Sequence, residues 1–270
     1  MPELPEVETI VRTYRPRLVG RRFVAFSSRW PKQASPSVPR LRRAIVGRTV
    51  TRLDRRGKYI VFQLAPPGFL LVHLRMSGRF EWAAEHNGEP RHVRTIWTLD
   101  NGNRLLFCDA RKFGRIIYTD DLSAVIGSFG VEPLERGFTS ARLRELLRGR
   151  ARQLKPLLLD QSVIAGLGNI YTDEALFVAG LHPLLRADQL KPGQVTALRQ
   201  AIRSVLREAI RRQGTSFDWA YLGGRMQDHL RVYGRTGEPC QRCGSAIQSL
   251  RVAQRGTHIC PKCQPRGRKC

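Results

Sequence analysis

Acidic side chains are scarce in this 270-residue chain: 22 Asp and Glu stand against 47 Lys and Arg, a formal charge of +25. A surface so one-sided disfavours cationic partners and gathers polyanions, nucleic acid first among them. Lysine is scarce as well, with seven Lys among the cations and forty Arg. A skew of that kind also follows from GC-rich codons, so the charge points to a class of partner and names none. No run approaches the ~18 uncharged apolar residues that a membrane span requires. The start, Met1-Pro2-Glu3-Leu4-Pro5-Glu6, lacks the basic segment and apolar run of a secretory signal. The expectation is a soluble cytoplasmic protein with no membrane partner. Internal repeats and low-complexity tracts are also absent. What is present suffices for a core: 41% of residues are hydrophobic and the mean hydropathy is −0.33. That composition excludes a disordered chain, and the length allows one large domain or two ordinary ones.

Of six cysteines, four fall as Cys240-x2-Cys243, a gap of 16 residues, then Cys260-x2-Cys263. Each pair sets two thiolates on one knuckle, and two knuckles close a tetrahedral zinc site with no open position. The ion is therefore structural. Two disulfides are the alternative, disfavoured where thiols stay reduced. Cys108 follows Leu105-Leu106-Phe107 and reads as a buried apolar residue, while Cys270 has no partner by spacing. Residues 231–270 carry nine cations against the single acid Glu238. A metal-stapled module of that charge has the profile of a nucleic-acid reader. Strands near 247–253 and 257–260 place Arg255-Gly256 at a hairpin tip, where Arg255 either meets phosphate or is merely solvated.

The rest of the chain changes character near residue 120. Residues 4–19 have the apolar spacing of a helix, with Pro16 positioned to kink or shorten it. Short β-type runs follow at 23–26, 49–53, 59–64, 69–74, 95–99, 104–107 and 115–118, with a helix near 38–46. Asp100-Asn101-Gly102-Asn103 is a hairpin signal. About eight strands in a sandwich or barrel are expected. Helical patterns then take over at 121–127, 139–149, 154–159, 169–179 and 195–213. Arg199, Arg203, Arg207 and Arg211 line one face of the last, either solvated or facing phosphate. Gly166-Leu167-Gly168-Asn169 is a glycine turn before a helix, able to hold a phosphate on backbone N–H groups or simply to pack two helices closely.

Met1-Pro2-Glu3-Leu4-Pro5-Glu6-Val7-Glu8, His73-Leu74-Arg75-Met76-Ser77-Gly78, Asp109-Ala110-Arg111-Lys112-Phe113-Gly114, Leu158-Leu159-Asp160-Gln161, Gly166 to Tyr171 with Glu174, Val232-Tyr233-Gly234-Arg235 and the four-cysteine finger occur in one order along the chain. Taken together they resemble bacterial formamidopyrimidine-DNA glycosylase, of the formamidopyrimidine-DNA glycosylase / endonuclease VIII superfamily. The resemblance spans the whole chain. It implies an α+β multidomain fold. A β-sandwich with flanking helices at about 1–120 leads to a helical helix–two-turn–helix domain at 121–230. A zinc-ribbon hairpin with a basic tail follows at 231–270. It implies a monomer acting on duplex DNA that contains an oxidised base or an abasic site.

The chemistry follows from residue types at the positions so marked. Taken locally, Pro2-Glu3 is an ordinary helix start. With Met1 removed, Pro2 exposes a secondary amine; an α-amino group of pKa ~7.7–8.0 is roughly a tenth neutral at pH 7, far more than a free lysine. Pro2 is then the nucleophile on C1′, and the resulting iminium permits β- and δ-elimination. Glu3 is the acid that opens the sugar, and Glu6 orients the amine, relays protons or lines the lesion pocket. A glycosylase must also fill the gap left by an extruded base. The resemblance gives that task to Met76, Arg111 and Phe113, residues that in isolation, Met76 and Phe113 above all, read as core. It sets Lys58, Asn169 and Arg255 on phosphates around the flipped nucleotide, with Lys58 and Arg255 in the catalytic group, His92 on DNA, and Tyr171 and Glu174 at the lesion pocket. His73 reads as structural. Residues 215–224 lie at the family's lesion-recognition loop and depart from its usual sequence, and the tail after Cys263 reads as an extension of this chain alone. The competing readings are an endonuclease VIII-like glycosylase for oxidised pyrimidines and a non-catalytic zinc-ribbon DNA-binding protein. Leu4 and the Met76, Arg111, Phe113 set side with the purine branch.

Overall fold

The computed structural model describes residues 2–83, 89–216 and 223–266. Two compact units emerge, one of residues 1–128 with 215–224 and one of 129–214 with 225–270. No helix among the described residues is long and apolar enough to cross a membrane.

The first unit begins with α1 (Leu4–Leu18), which holds Pro16 within its last turn and stops two residues later. Nine strands and two short helices follow: β1 (Phe23–Ser28), β2 (Ala34–Ser35), α2 (Val38–Ile45), β3 (Thr49–Arg56), β4 (Tyr59–Ala65), β5 (Gly68–His73), β6 (Gly78–Ala83), β7 (Val93–Leu99), β8 (Arg104–Asp109), β9 (Arg115–Thr119) and α3 (Ser123–Ile126). They form a four-stranded sheet, β1-β7-β8-β6, and a five-stranded sheet, β2-β9-β5-β4-β3. Both sheets are antiparallel except where β2 runs parallel to β9. Their inner faces share one core, with Phe23, Phe80, Trp97 and Phe107 from one sheet against Phe62, Val72 and Ile116 from the other. Phe80 sits at its centre, edge-on to Phe62, Trp97 and Phe107 with ring centroids 6.3, 6.0 and 5.8 Å away. Val7, Ile10 and Val11 of α1 and Leu41 and Ile45 of α2 close the core from outside the sheets. The sandwich with flanking helices expected from the sequence is the fold observed.

Two strands escape the sequence pattern. β2 has only two residues, and its ladder is the parallel pair with Ile116 and Ile117. β6 interleaves Arg79 and Glu81 with Phe80 and Trp82, and its pairing with β8 decides its conformation.

The second unit is helical: α4 (Ser140–Leu147), α5 (Leu154–Leu159), α6 (Asn169–Ala179) and α7 (Pro192–Arg211), followed by the hairpin β10 (Gln248–Val252) and β11 (Arg255–Ile259). α6 ends at Gly180, whose φ of 67° suits a glycine C-cap. The basic face of α7 is partly consumed by structure. Arg199 donates to the Phe138 carbonyl, and Arg203 to those of Pro133 and Glu135. Two of the four arginines thus clasp the 133–138 loop. The hairpin tip also differs from expectation. Ala253 and Gln254, both at positive φ, form the two-residue turn, and Arg255 is the first residue of β11, opposite Val252. The ladder extends as far as Val252 and Arg255, so the turn shrinks to two residues.

Candidate functional site

The start of α1 is a buried, acid-rich cap. Pro2 and Glu3 are buried, and the Glu3 N–H donates to Glu6 Oε2 at 2.8 Å. The other oxygen of Glu6 accepts the Thr215 N–H at 2.8 Å and its hydroxyl at 3.3 Å. One carboxylate thereby ties the chain start to the segment 209 residues later that enters the 215–224 loop. Of that loop, residues 217–222 lie outside the described residues, as do Met1 and the 267–270 end of the tail, with Cys270.

Lys58 is the second residue of the two-residue β3–β4 turn and is 7% exposed. Gly57 in that turn has φ 56°, and its carbonyl accepts from Arg55 at 3.1 Å. Arg55 in turn donates to Glu8 at 3.0 Å. Burial works to raise the Glu8 carboxyl, but Arg12 and Arg55 outweigh it and hold it below the ordinary carboxylate range. A helix residue therefore fixes the turn that presents Lys58. His73 lies edge-on to Tyr59 with centroids 4.7 Å apart, and its Nδ1 accepts the Arg75 N–H at 3.0 Å. Burial first, then the charges of Arg75 and Lys58, push its pKa down to about 3, so it is a neutral, structural imidazole.

Met76 and Phe113 are 36% and 49% exposed, although large apolar side chains are ordinarily buried. They occupy the β5–β6 and β8–β9 loops. Arg111 lies over the Phe113 ring at 5.1 Å. Each loop contains a non-glycine residue in the left-handed region, Arg75 at φ 55° and Lys112 at φ 61°. Such conformations cost on the order of 1–3 kcal/mol and collect at functional loops. His92, exposed and at φ 65°, precedes β7 and accepts the Asp109 N–H on its carbonyl.

In the second unit, the turn before α6 is braced by Gln161, which accepts the Gly166 N–H at 2.8 Å and donates to the carbonyls of Leu159 and Leu167. Asn169 opens α6 and donates to the Gly256 carbonyl at 3.0 Å. That bond joins the glycine turn to the β10–β11 hairpin, beside exposed Arg255. Beneath it lies Lys155, fully buried, with Nζ 2.6 Å from Asp173, 2.8 Å from Thr257 Oγ1 and 3.0 Å from the Gly256 carbonyl. Tyr171 is fully buried on α6. Glu174, also fully buried, accepts the N–H groups of Arg231, Val232 and Tyr233. Burial drives its carboxyl upward against those amides and the Arg231 guanidinium. Its contacts make it the anchor of the Val232-Tyr233 segment that leads into the finger.

The four finger cysteines lie with all Sγ atoms within 4.8 Å of one another. Cys240–Cys263 and Cys243–Cys260 separations are 3.9 and 3.4 Å. Disulfides, with S–S near ~2.05 Å, are excluded. A zinc tetrahedron with Zn–S near ~2.3 Å needs S···S edges of about 3.8 Å, a length that lies between these two separations. The Arg242 N–H donates to Cys240 Sγ and the Cys263 N–H to Cys260 Sγ, as ligand thiolates in knuckles require. These residues fit one structural zinc. Cys240 and Cys260 also pack with Phe177, Val232 and Ile247, so the finger borrows core from α6. Cys108 is buried, with its thiol pushed up to about 12 by burial, and is no ligand.

Sequence reasoning missed Lys155, Asp173 and Asp109 as organisers. Lys155 lies before a proline and Asp173 within a helix, and neither carries a local sign of burial. Gln161 was visible only as part of its motif.

The family described as formamidopyrimidine-DNA glycosylase N-terminal domain matches residues 1–116, the formamidopyrimidine-DNA glycosylase H2TH domain 129–220, and the zinc finger found in FPG and IleRS 237–266. Formamidopyrimidine-DNA glycosylase of Chloroflexus aurantiacus is 45% identical, over 98% of this chain and 98% of its own. That of Lactococcus lactis subsp. lactis is 39% identical, over 98% and 99%. Among solved structures, a Lactococcus lactis FPG mutant bound to Fapy-dG DNA is similar with TM-score 0.92 at 36% identity, covering 98% of this chain and all of that one. MutM in complex with DNA containing carbocyclic 8-oxo-G is similar with TM-score 0.92 at 37% identity and the same coverage.

Proposed function

The chain belongs to the formamidopyrimidine-DNA glycosylase family and is a DNA glycosylase for oxidised purines; from that premise we propose that it is bifunctional, excising the base and then cleaving the strand as an AP lyase through the N-terminal amine of Pro2. The amine, freed by loss of Met1, attacks C1′ and the base departs with a proton. Glu3 protonates the sugar ring oxygen, the ring opens, and the iminium acidifies the 2′ carbon. Loss of a 2′ proton expels the 3′ phosphate, and a second elimination expels the 5′ phosphate. Glu6 holds the backbone of Glu3 so that acid and amine keep one geometry.

The remaining residues take roles that their surroundings support. Lys58, Asn169 and Arg255 bind phosphates, with His92 a further DNA contact. Met76, Arg111 and Phe113 fill the gap in the duplex, and Arg111 pairs with the orphaned base. Tyr171 and Glu174, both buried, support the lesion pocket from behind. Zinc, held by the four cysteines, supplies rigidity to the hairpin and no chemistry. The working division is a catalytic module at about 1–120, a helical DNA-binding module at 121–230 and a finger with tail at 231–270. The three matched family domains each fall inside one of these stretches. The enzyme acts as a cytoplasmic, nucleoid-associated monomer.

The observation that carries this reading is the buried Pro2-Glu3 start, held by Glu6, in a chain that matches the family from end to end. Borohydride trapping on duplexes with 8-oxoguanine opposite cytosine, or with an abasic site, tests it. The expected result is a covalent adduct mapped to the peptide that begins at Pro2. Tight binding without an adduct, or an adduct mapped to Lys58, overturns the lyase mechanism. Faster cutting of thymine glycol than of 8-oxoguanine would return the pyrimidine alternative.

A further inference from the structure

We propose that Asp109 is the positioning residue that locks the two gap-filling loops to one another, so that Met76, Arg111 and Phe113 enter a duplex as one unit. The proposal rests on the glycosylase reading above.

The loops leave adjacent strands: Gly78, the first residue of β6, pairs with Asp109, the last of β8. Asp109 is fully buried at that junction. Its Oδ1 accepts the Ser77 hydroxyl at 2.5 Å. Its Oδ2 accepts the Gly114 N–H at 2.8 Å and the Gln33 side-chain amide at 3.3 Å. Ser77 Oγ itself accepts the Arg111 N–H at 3.0 Å. A hydroxyl has one proton, so with Arg111 as donor the Ser77 proton must point at Asp109. The direction of the whole chain is therefore fixed: Arg111 N–H to Ser77, Ser77 O–H to carboxylate. The short distance is that of a charge-assisted bond.

Every element of this relay abuts a gap-filling residue. Ser77 follows Met76, the Arg111 amide belongs to the residue that would pair with the orphaned base, and Gly114 follows Phe113. Sterics close the same joint. A Cβ on Gly78 would sit 2.7 Å from the Phe107 ring and 2.5 Å from the Leu74 carbonyl, and one on Gly114 2.6 Å from that ring. Gln33 is buried, and its Oε1 accepts the Thr95 hydroxyl at 3.3 Å, which fixes the amide that faces Asp109. Lys112 lies 4.5 Å over the Trp30 ring, and Arg115 donates to the Lys32 carbonyl, so the 30–33 segment supports the loop from outside. None of Asp109, Gln33 or Thr95 is exposed to a ligand, which separates positioning from contact.

Asp109→Asn keeps the volume and removes the charged acceptor; Ser77→Ala removes the relay; Ser77→Thr restores it. A single-stranded abasic oligonucleotide has the reactive sugar but no gap and no orphaned base, so it does not need the locked loops. On abasic duplex, kcat/KM should fall about tenfold or more in Asp109→Asn and several-fold in Ser77→Ala, mainly through KM. On single-stranded abasic substrate both should stay within about twofold of wild type. Ser77→Thr should recover the duplex activity, and the double variant should be no worse than Asp109→Asn alone, because one relay is cut twice. Equal duplex activity in wild type and both variants overturns the proposal, as does a parallel loss on single-stranded and duplex substrates. A wild type inert on both substrates overturns the AP-lyase reading, on which both assays depend, and the proposal with it.

Discussion

Lys155 and Asp173 form a fully buried ion pair in the second unit, and its removal should be costly in a specific way. Both side chains are 0% exposed and their charged atoms are 2.6 Å apart. All three ammonium protons of Lys155 have acceptors, on Asp173, Thr257 and Gly256. Asp173 Oδ2 accepts the His258 N–H at 2.9 Å. Lys155→Met leaves the Asp173 carboxylate in a dry site without its ammonium partner, and breaking a buried pair this way costs about 3–5 kcal/mol. At about 2–4 °C per kcal/mol for a domain of this class, the melting temperature of the second unit should fall by roughly 6–20 °C. Asp173→Asn should cost a similar amount, since it strands the ammonium. Lys155→Met with Asp173→Asn should be less destabilised than the two single changes added together, because neither charge is then orphaned. Urea unfolding of all four proteins, at two salt concentrations, measures this. The difference should persist at high salt, because a pair without solvent is poorly screened. A Lys155→Met variant within about 1 kcal/mol of wild type, or strict additivity in the double variant, would refute the reasoning.

Three other outcomes follow from particular residues. His73 is buried neutral with its pKa lowered to about 3, whereas the unfolded imidazole titrates near ~6.5, so the unfolded state binds the extra proton between those values. Stability should be fully present above about pH 6.5 and decline as pH falls toward 3, by up to about 1.4 kcal/mol per unit; an unchanged slope in His73→Gln would count against it. Arg255→Ala should weaken duplex binding whatever the sequence and reduce the slope of log K against log salt by about 0.9, read by fluorescence anisotropy at several salt concentrations. Chelation should release one zinc per chain and abolish hydrogen-exchange protection at Thr257 and His258, whereas Cys108, buried with a thiol pushed up to about 12, should resist alkylation until the chain unfolds.

How far the sequence could be read depended on the range of each interaction. The finger was legible because a C-x2-C knuckle is local, and two such pairs at this spacing have few uses other than zinc. Helices α1 and α7 were legible because an apolar stripe repeats every three or four residues, whereas α6 is buried on every side from Ile170 to Phe177. Pro2, Glu3 and the Met76, Arg111, Phe113 set were assigned by resemblance; their residue types permit helix capping and core packing equally well. Exposure of Met76 and Phe113 then separates them from the core, which no spacing could have done.

The sequence by itself determined the polyanion partner, the metal chemistry and the alternation of β-rich and helical stretches, since charge, ligand type and periodicity are properties of residues and their near neighbours. Only the tertiary structure decided which polar groups are dry. Asp109 collects Gln33, Ser77 and Gly114; Glu174 collects the 231–233 amides; Lys155 reaches Asp173 and Thr257. It also took Arg199 and Arg203 out of the solvated face and moved Arg255 from the hairpin tip into a strand. Burial makes an isolated charge costly, so each such group requires partners, and most of those partners come from distant residues that only the folded chain brings within hydrogen-bonding distance.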